Sequence, residues 1–297
     1  MSARHPVVAV TGSSGAGTTT VRRSFEHIFT REHITPIYIE GDSFHKYDRE
    51  GMAQAIEEAE RDGRRPPSHF GPEGNLFSEL EQLFSSYGEK GTGLTRRYLH
   101  SEEEACCQAE LVGTFTDWSP LPEGSDLLFY EGLHGGVKAE GVDVARYVDL
   151  LIGVVPIVNL EWIQKMHRDM SQRGYSVEVV THTILRRMHD YVHYMTPQFS
   201  RTHVNFQRVP VVDTSNPFIA RDVPTLDESL VVIRFRDPKG VDFPYLLAMI
   251  HDSFMSRPNV IVVPGGKMEM AIQLVVTPLL IQLMERRKRA LQMDGLY

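Results

Sequence analysis

The chain has 297 residues, 41% hydrophobic and 24% charged, a composition ordinary for a soluble globular protein that can bury a sizeable core. A net charge of −8 argues against a general nucleic-acid binder, though it leaves room for a local basic pocket. No uncharged apolar run reaches the roughly 18 residues of a membrane span, and the opening apolar segment, Val7 to Val10, is too short for a signal-peptide core. The cysteines, Cys106 and Cys107, are adjacent, so they cannot form a stapling framework or a zinc site. A cytoplasmic protein with reduced thiols is expected, with neither nucleic acid nor membrane as partner.

Val7 to Val10 reads as a buried strand, ended by Thr11-Gly12. A helix from about Thr18 to Glu32 follows, with Val21, Phe25, Ile28 and Phe29 on one face. Pro36 to Glu40 is a second strand, so the opening has the grammar of a βαβ unit with a parallel sheet. Gly51 to Arg65 predicts a helix, 64–74 a loop, and Leu76 to Tyr87 a helix stopped at Gly88. Leu127 to Gly132 and Leu150 to Val155 are further strands. Helices are predicted from Leu160 to Arg173, ended by Gly174, and from Val177 to Tyr194. Strands Phe206 to Val212, Leu230 to Phe235 and Val260 to Val263 follow, with helices near Tyr245 to Asp252 and from Lys267 onward. The expected fold is one three-layer α/β domain over 1–297 whose mixed, mostly parallel sheet is flanked by helices.

Gly12-Ser13-Ser14-Gly15-Ala16-Gly17-Thr18-Thr19 lies between a strand and a helix, where backbone N–H groups and a helix N-terminus can cradle phosphate oxygens. Against the pattern G-x-x-x-x-G-K-[ST], Gly12, Gly17 and Thr19 match, but Thr18 holds the lysine position. Such a turn could simply cap a helix. The acidic strand tips beyond it favour the phosphate reading, in which Thr19 offers its hydroxyl to Mg²⁺. The missing cation must then come from elsewhere.

Asp42 follows one strand and Glu131 ends another, and ligands of open α/β sheets bind outside the carboxyl ends of strands. Asp42, among Ser43, His45, Lys46 and Arg49, is assigned as the base that takes a proton from the attacking hydroxyl, and Glu131 is assigned to the metal. Either acid alone could be a solvated turn or cap. In 159–174, Lys165, Arg168 and Asp169 stand at i, i+3 and i+4 on one helix face, with Arg173 a turn further on. By itself this is a solvated face of intrahelical ion pairs. With the loop lysine gone, it is instead a candidate lid, with Lys165 as the transition-state cation and Asp169 as a metal or positioning carboxylate.

These stretches resemble phosphoribulokinase of the bacterial type. The match is carried by Gly12 to Thr20, by Glu40-Gly-Asp-Ser-Phe-His45 with Arg49, and by Phe129-Tyr-Glu-Gly-Leu-His134. It continues through Asn159 to Lys165 with His167-Arg168-Asp169, and through Arg208 to Phe218. The resemblance implies a three-layer P-loop kinase fold and transfer of the ATP γ-phosphoryl group to O1 of D-ribulose 5-phosphate with Mg²⁺. It implies that 12–20, including Thr20, hold ATP, and that His45, Arg49, Arg168 and Arg173, with Tyr98 and His100, serve the sugar phosphate. It further implies a homo-oligomer, typically an octamer, activated by NADH and inhibited by AMP, with Arg31, Arg234 and Arg257 at the effector site. Plant-type relatives carry a redox cysteine in the phosphate loop, where this chain has Ala16. A kinase of another acceptor, such as a nucleoside, is the nearest rival. A nucleotide-dependent switch is disfavoured, since an Asn-Lys-x-Asp guanine motif is absent.

Overall fold

Strand β1 (Val7–Gly12) is buried along its whole length and lies between two strands parallel to it, β3 (Leu127–Gly132) and β4 (Leu150–Val155). The computed structural model describes residues 3–13, 18–106, 111–220, 222–293 and 295, and the side chains of Thr18, Thr19, Cys106, Gln172 and Arg173 are not among them. Beyond β3 lies β2 (Pro36–Glu40), and beyond β4 lies β5 (Val204–Pro210), both again parallel. The sheet then changes sense. β6 (Ser229–Phe235), β8 (Val260–Pro264) and β7 (Phe254–Arg257) are added antiparallel, giving eight strands in the order β7-β8-β6-β5-β4-β1-β3-β2.

Because strand side chains alternate between faces, each face carries its own core. On one face Val8, Val10, Phe129, Ile152 and Ile233 pack under α1 (Thr18–Arg31) and α7 (Met268–Met293). On the other, Val7, Ala9, Ile39, Leu128 and Tyr130 pack under α3 (Phe77–Lys90) through Leu80, Phe84 and Tyr87. Each such fully buried large side chain contributes about 1.5–3 kcal/mol. The three layers and the mixed sheet agree with the expected fold class. By length and composition α7 could cross a membrane, but Ala271, Ile272, Val275, Val276 and Leu280 are spent on the core beneath it.

Local chemistry sets the ends of the remaining helices. α2 (Arg49–Arg61) starts two residues before the predicted Gly51, because the Asp48 carboxylate accepts the Gly51 amide at 2.7 Å as its N-cap. α3 runs through Gly88 and stops at Gly91, whose φ of 70° is the left-handed cap conformation. α4 (Val158–Arg173) ends, as predicted, at Gly174 in the same conformation. α5 (Val177–Asp190) is capped by Ser176, but the helix predicted to continue to Tyr194 widens into a π turn at Tyr191–Met195 and tightens into a 3₁₀ turn containing Pro197. α6 (Phe243–Met249) starts earlier than predicted, since Asp242 caps it and Pro244 opens it.

Candidate active site

The carboxyl ends of β1, β2, β3 and β4 form one edge of the sheet, and most of the sequence-predicted site residues lie along it. β1 ends at Gly12, Ser13 is buried beyond it, and α1 opens at Thr18, so the strand and the helix that flank the predicted phosphate loop are present. Ser14, Gly15, Ala16 and Gly17, and the side chains of Thr18 and Thr19, lie outside the described residues. Thr20 sits in the first turn of α1, its carbonyl accepting from the Ser24 hydroxyl at 2.9 Å. The end of β1 is tied to its neighbours by Gln198, a buried amide no sequence pattern marked. Its Oε1 accepts from the Thr11 hydroxyl and the Gly136 amide, both at 2.9 Å, while its Nε2 donates to the carbonyls of Leu133 and Tyr194.

Asp42 lies in a 3₁₀ turn, Gly41–Phe44, directly after β2. Its two carboxylate oxygens each stand 3.6 Å from an imidazole Nε2, one from His45 and one from His100. The turn is held close to β3: a Cβ on Gly41 would come 2.6 Å from the Tyr130 hydroxyl and 2.8 Å from Gly132 Cα, so only glycine fits. Glu131 occupies the β3 position registered with Val10 on β1 and Glu40 on β2. Phe129 and Val10 belong to the core under α1, so the strand alternation puts Glu131 on the α1 side of the edge. Asp42 and Glu131 thus do come to one edge, as predicted.

Around Asp42 the structure gathers histidines. The rings of His45 and His69 lie 4.3 Å apart, and the His134 Nε2 donates to the His69 carbonyl at 2.8 Å. Burial lowers all three imidazole pKa values below the usual range, His134 to about 3, so these rings are neutral near pH 7. For His45 the neighbouring Asp42 carboxylate partly opposes that shift, while His100, Arg187 and Arg96 add to it. His100 reaches Asp42 from a strip in which its ring packs on Tyr98 (centroids 4.9 Å apart) and Tyr98 packs on Phe115 (5.2 Å). Arg49 is exposed at the start of α2, its side chain lying over Gly113, while its amide donates to the Gly113 carbonyl at 2.9 Å.

On α4, Lys165 donates to the buried Asp169 carboxylate, and the Arg168 Nε stands 3.4 Å from the other oxygen. The predicted i, i+4 pair is real, but its carboxylate is buried and not solvated. Burial lowers the Lys165 pKa, Asp169 counters that shift, and the charges of Arg187 and Arg168 add to it. The charges of Lys165 and Arg187 are also felt at His69, which places this cationic group beside the Asp42 histidines. Arg173 ends α4, but its side chain lies outside the described residues. At the other end of α4, burial raises the Glu161 pKa against the opposing hydroxyls of Ser13 and Tyr191, the latter donating at 3.0 Å. Sequence reasoning missed His69, Glu161 and Arg187. His69 was passed over as loop; Glu161 and Arg187 read as ordinary polar positions of amphipathic helices.

The three predicted effector arginines are not brought together. Arg31 donates to Gln273 and Thr277 of α7 beside a surface cleft of about 670 Å³ that Tyr245, Met270 and Ile281 also line. Arg234 and Arg257 both register with Val260 of β8. Arg234 donates to the Phe199 carbonyl at 2.9 Å on the face opposite that core, since Val231 and Ile233 face α1 and α7. Among the described residues there is no group of three or more His, Cys, Asp or Glu that could hold a metal by itself. A kinase Mg²⁺ does not need one, because it takes one or two carboxylates and otherwise phosphate and water oxygens.

Residues 7–215 match the model of the Phosphoribulokinase / Uridine kinase family. A chromosomal phosphoribulokinase of Cupriavidus necator is 67% identical over 292 residues, covering 98% of this chain and all of the relative. The phosphoribulokinase of Nitrobacter vulgaris is 61% identical over 287 residues, covering 97% and 99%. The solved structure of phosphoribulokinase from Rhodobacter spheroides superposes with a TM-score of 0.89 at 53% identity, covering 97% of this chain and 100% of that one.

Proposed function

The chain belongs to the Phosphoribulokinase / Uridine kinase family, and from that premise we propose that it transfers the γ-phosphoryl group of ATP to O1 of D-ribulose 5-phosphate. The observation that carries this reading is Asp42, a carboxylate at the tip of β2 flanked at 3.6 Å by the imidazoles of His45 and His100. A carboxylate there can take the proton of an attacking hydroxyl, and the flanking imidazoles can orient it. The cations Lys165 and Arg168 on α4 supply the positive charge that Thr18 does not, with Lys165 meeting the transferring phosphoryl group and Asp169 holding it in place. His45, Arg49, Tyr98, His100, Arg168 and Arg173 are read as the acceptor pocket, and 12–20 as the ATP cradle.

Mg²⁺ takes oxygen donors, and the residues we assign to hold it are Glu131 at the end of β3, Asp169 on α4 and the Thr19 hydroxyl. When bound it neutralises charge on the β- and γ-phosphate oxygens. We read 1–297 as one cytoplasmic domain that assembles into a homo-oligomer. Arg31 and Arg234 serve opposite faces of one chain, so an anionic effector such as NADH that contacted both with Arg257 would bridge two copies.

The test is an acceptor screen with ATP on the wild type and Asp42→Asn. Turnover of ribulose 5-phosphate but not uridine is expected, with a loss of roughly 10²–10⁴-fold in the variant. Turnover of uridine alone, or a variant as fast as wild type, would overturn the proposal.

A further inference from the structure

Arg96 has no part in the chemistry above, yet its guanidinium is bound on every side. Its Cζ lies 3.6 Å from the ring centroid of Phe115 and 4.9 Å from that of Trp118, so it stacks on two aromatic rings. Nε donates to the Ser43 carbonyl at 3.0 Å and a terminal nitrogen donates to the His45 carbonyl at 2.6 Å. Both carbonyls belong to the turn that carries Asp42 and to the residue that caps it. Phe115 in turn meets Tyr98 edge to face, Tyr98 meets His100 in the same way, and the His100 Nε2 stands 3.6 Å from Asp42.

We infer that Arg96 is a positioning residue for the phosphoryl acceptor site, setting Asp42 between its two histidines; this rests on the reading of Asp42 as the base. One cation reaches Asp42 by two routes. Through Ser43 and His45 it fixes the backbone of the turn, and through Phe115 and Tyr98 it fixes the strip that presents His100. Glu79 is the carboxylate whose charge offsets its burial, while its close hydrogen bonds go to turn carbonyls and so are spent on geometry. The job calls for arginine in particular. A planar fork can donate to two carbonyls while lying against aromatic rings, whereas an ammonium offers a single point charge. The plain alternative is a residue that only holds a surface hairpin together through its aromatic contacts, and that alternative makes different predictions.

The test compares wild type, Arg96→Lys and Arg96→Ala in steady-state kinetics with ATP and ribulose 5-phosphate, alongside thermal unfolding and amide exchange. Arg96→Lys should keep its fold and its KM for ATP within about twofold, while kcat/KM for the acceptor falls roughly 100-fold, the usual consequence of misplacing a catalytic group by about 1 Å. Guanidinium ion added to Arg96→Ala should restore part of kcat, and methylammonium should not. In Arg96→Lys the His45 amide, which donates to the Asp42 carbonyl at 3.2 Å, should exchange faster. A merely structural role would lower melting temperature and both substrates' constants together, without guanidinium rescue, and that result overturns the inference. If Arg96→Ala does not fold, Arg96→Lys decides alone: acceptor kcat/KM at the wild-type level sinks it. If the wild type fails to phosphorylate ribulose 5-phosphate, it is the proposed function that fails; amide exchange then judges Arg96, and unchanged exchange of the 41–45 turn in Arg96→Lys refutes its positioning role.

Discussion

Gly41→Ala tests how tightly the catalytic edge is built. At the ends of β2 and β3 the backbones of Gly41 and Gly132 meet without side chains between them, and a Cβ at 132 would fall 2.6 Å from Gly41 Cα. An alanine at 41 would place its Cβ 2.6 Å from the Tyr130 hydroxyl and 2.8 Å from Gly132 Cα, where ordinary contact begins at 3.4 Å. The edge must therefore open by roughly 0.6–0.8 Å. Neither obstacle yields easily: one is backbone, and the other is a fully buried tyrosine whose hydroxyl already accepts the His134 amide at 3.2 Å. Overpacking of this kind costs about 1–3 kcal/mol of stability. The effect on turnover should be larger, because the residue that moves is joined to Asp42. At about 10²-fold per 1 Å, the opening predicts a loss of roughly 10–100-fold in kcat. Coupled ADP-release kinetics and thermal unfolding by circular dichroism measure both. In Gly41→Ala/Tyr130→Phe one of the two clashes is gone, so part of each loss should return. A Gly41→Ala enzyme with kcat within about threefold of wild type and an unchanged melting temperature would refute the reasoning.

Two further outcomes follow from buried groups. The His134 imidazole is neutral in the folded chain down to a pKa of about 3, against 6.5 when exposed. Above pH 6.5 neither state binds the proton; below it only the unfolded chain does, so stability is lost as pH falls from 6.5 towards 3, by up to ~5 kcal/mol. His134→Gln should flatten that limb, and urea midpoints at pH 7 and pH 5 that differ as much as in wild type would exclude the assignment. Asp169→Asn removes the partner of a largely buried Lys165 and should cost about 3–5 kcal/mol. Adding Lys165→Met should recover stability but not turnover, whereas a double variant no more stable than Asp169→Asn alone would show that the pair is not what holds α4.

The parts of the fold that were legible were those in which one segment carries its own signal. β1, β3 and β4 read as strands because strands covered on both faces open on continuous apolar runs, here Val7 to Val10, Leu127 to Tyr130 and Leu150 to Val155. β7 was missed because Phe-Met-Ser-Arg is short, largely exposed at the sheet edge, and shows no alternation. The π turn at Tyr191–Met195 keeps enough apolar spacing to pass for more helix. The same division holds in the site. Asp42 and Glu131 were legible as acids at strand tips, and Lys165 with Asp169 as an i, i+4 pair. Gln198 binds Thr11 across 187 residues, and Arg96 finds its carbonyls more than 50 residues away, so no local pattern marks either. The effector arginines were placed by resemblance alone, and resemblance carries no information on which face of the sheet each one occupies.

The phosphate loop that lacks its lysine makes sense only with the charge balance across the edge. Lys165, Arg168 and Arg187 act on this region with Asp169 as the carboxylate bound between the first two. The neighbouring His45, His69 and His134 are held neutral by burial, and for His45 and His69 the Arg187 charge works in the same sense. The carboxylates of Asp42, Glu131 and Asp169 share this region with those three cations. Under the proposed function, the nucleotide and the sugar phosphate bring the negative charge that these cations meet. A loop lysine would stay beside the nucleotide whether or not the acceptor was present. Lys165 instead rests on Asp169, one turn along α4. Under the proposed function, a cation on the helix rather than in the loop ties neutralisation of the transferring group to occupancy of the acceptor pocket, which limits phosphoryl transfer to water when that pocket is empty.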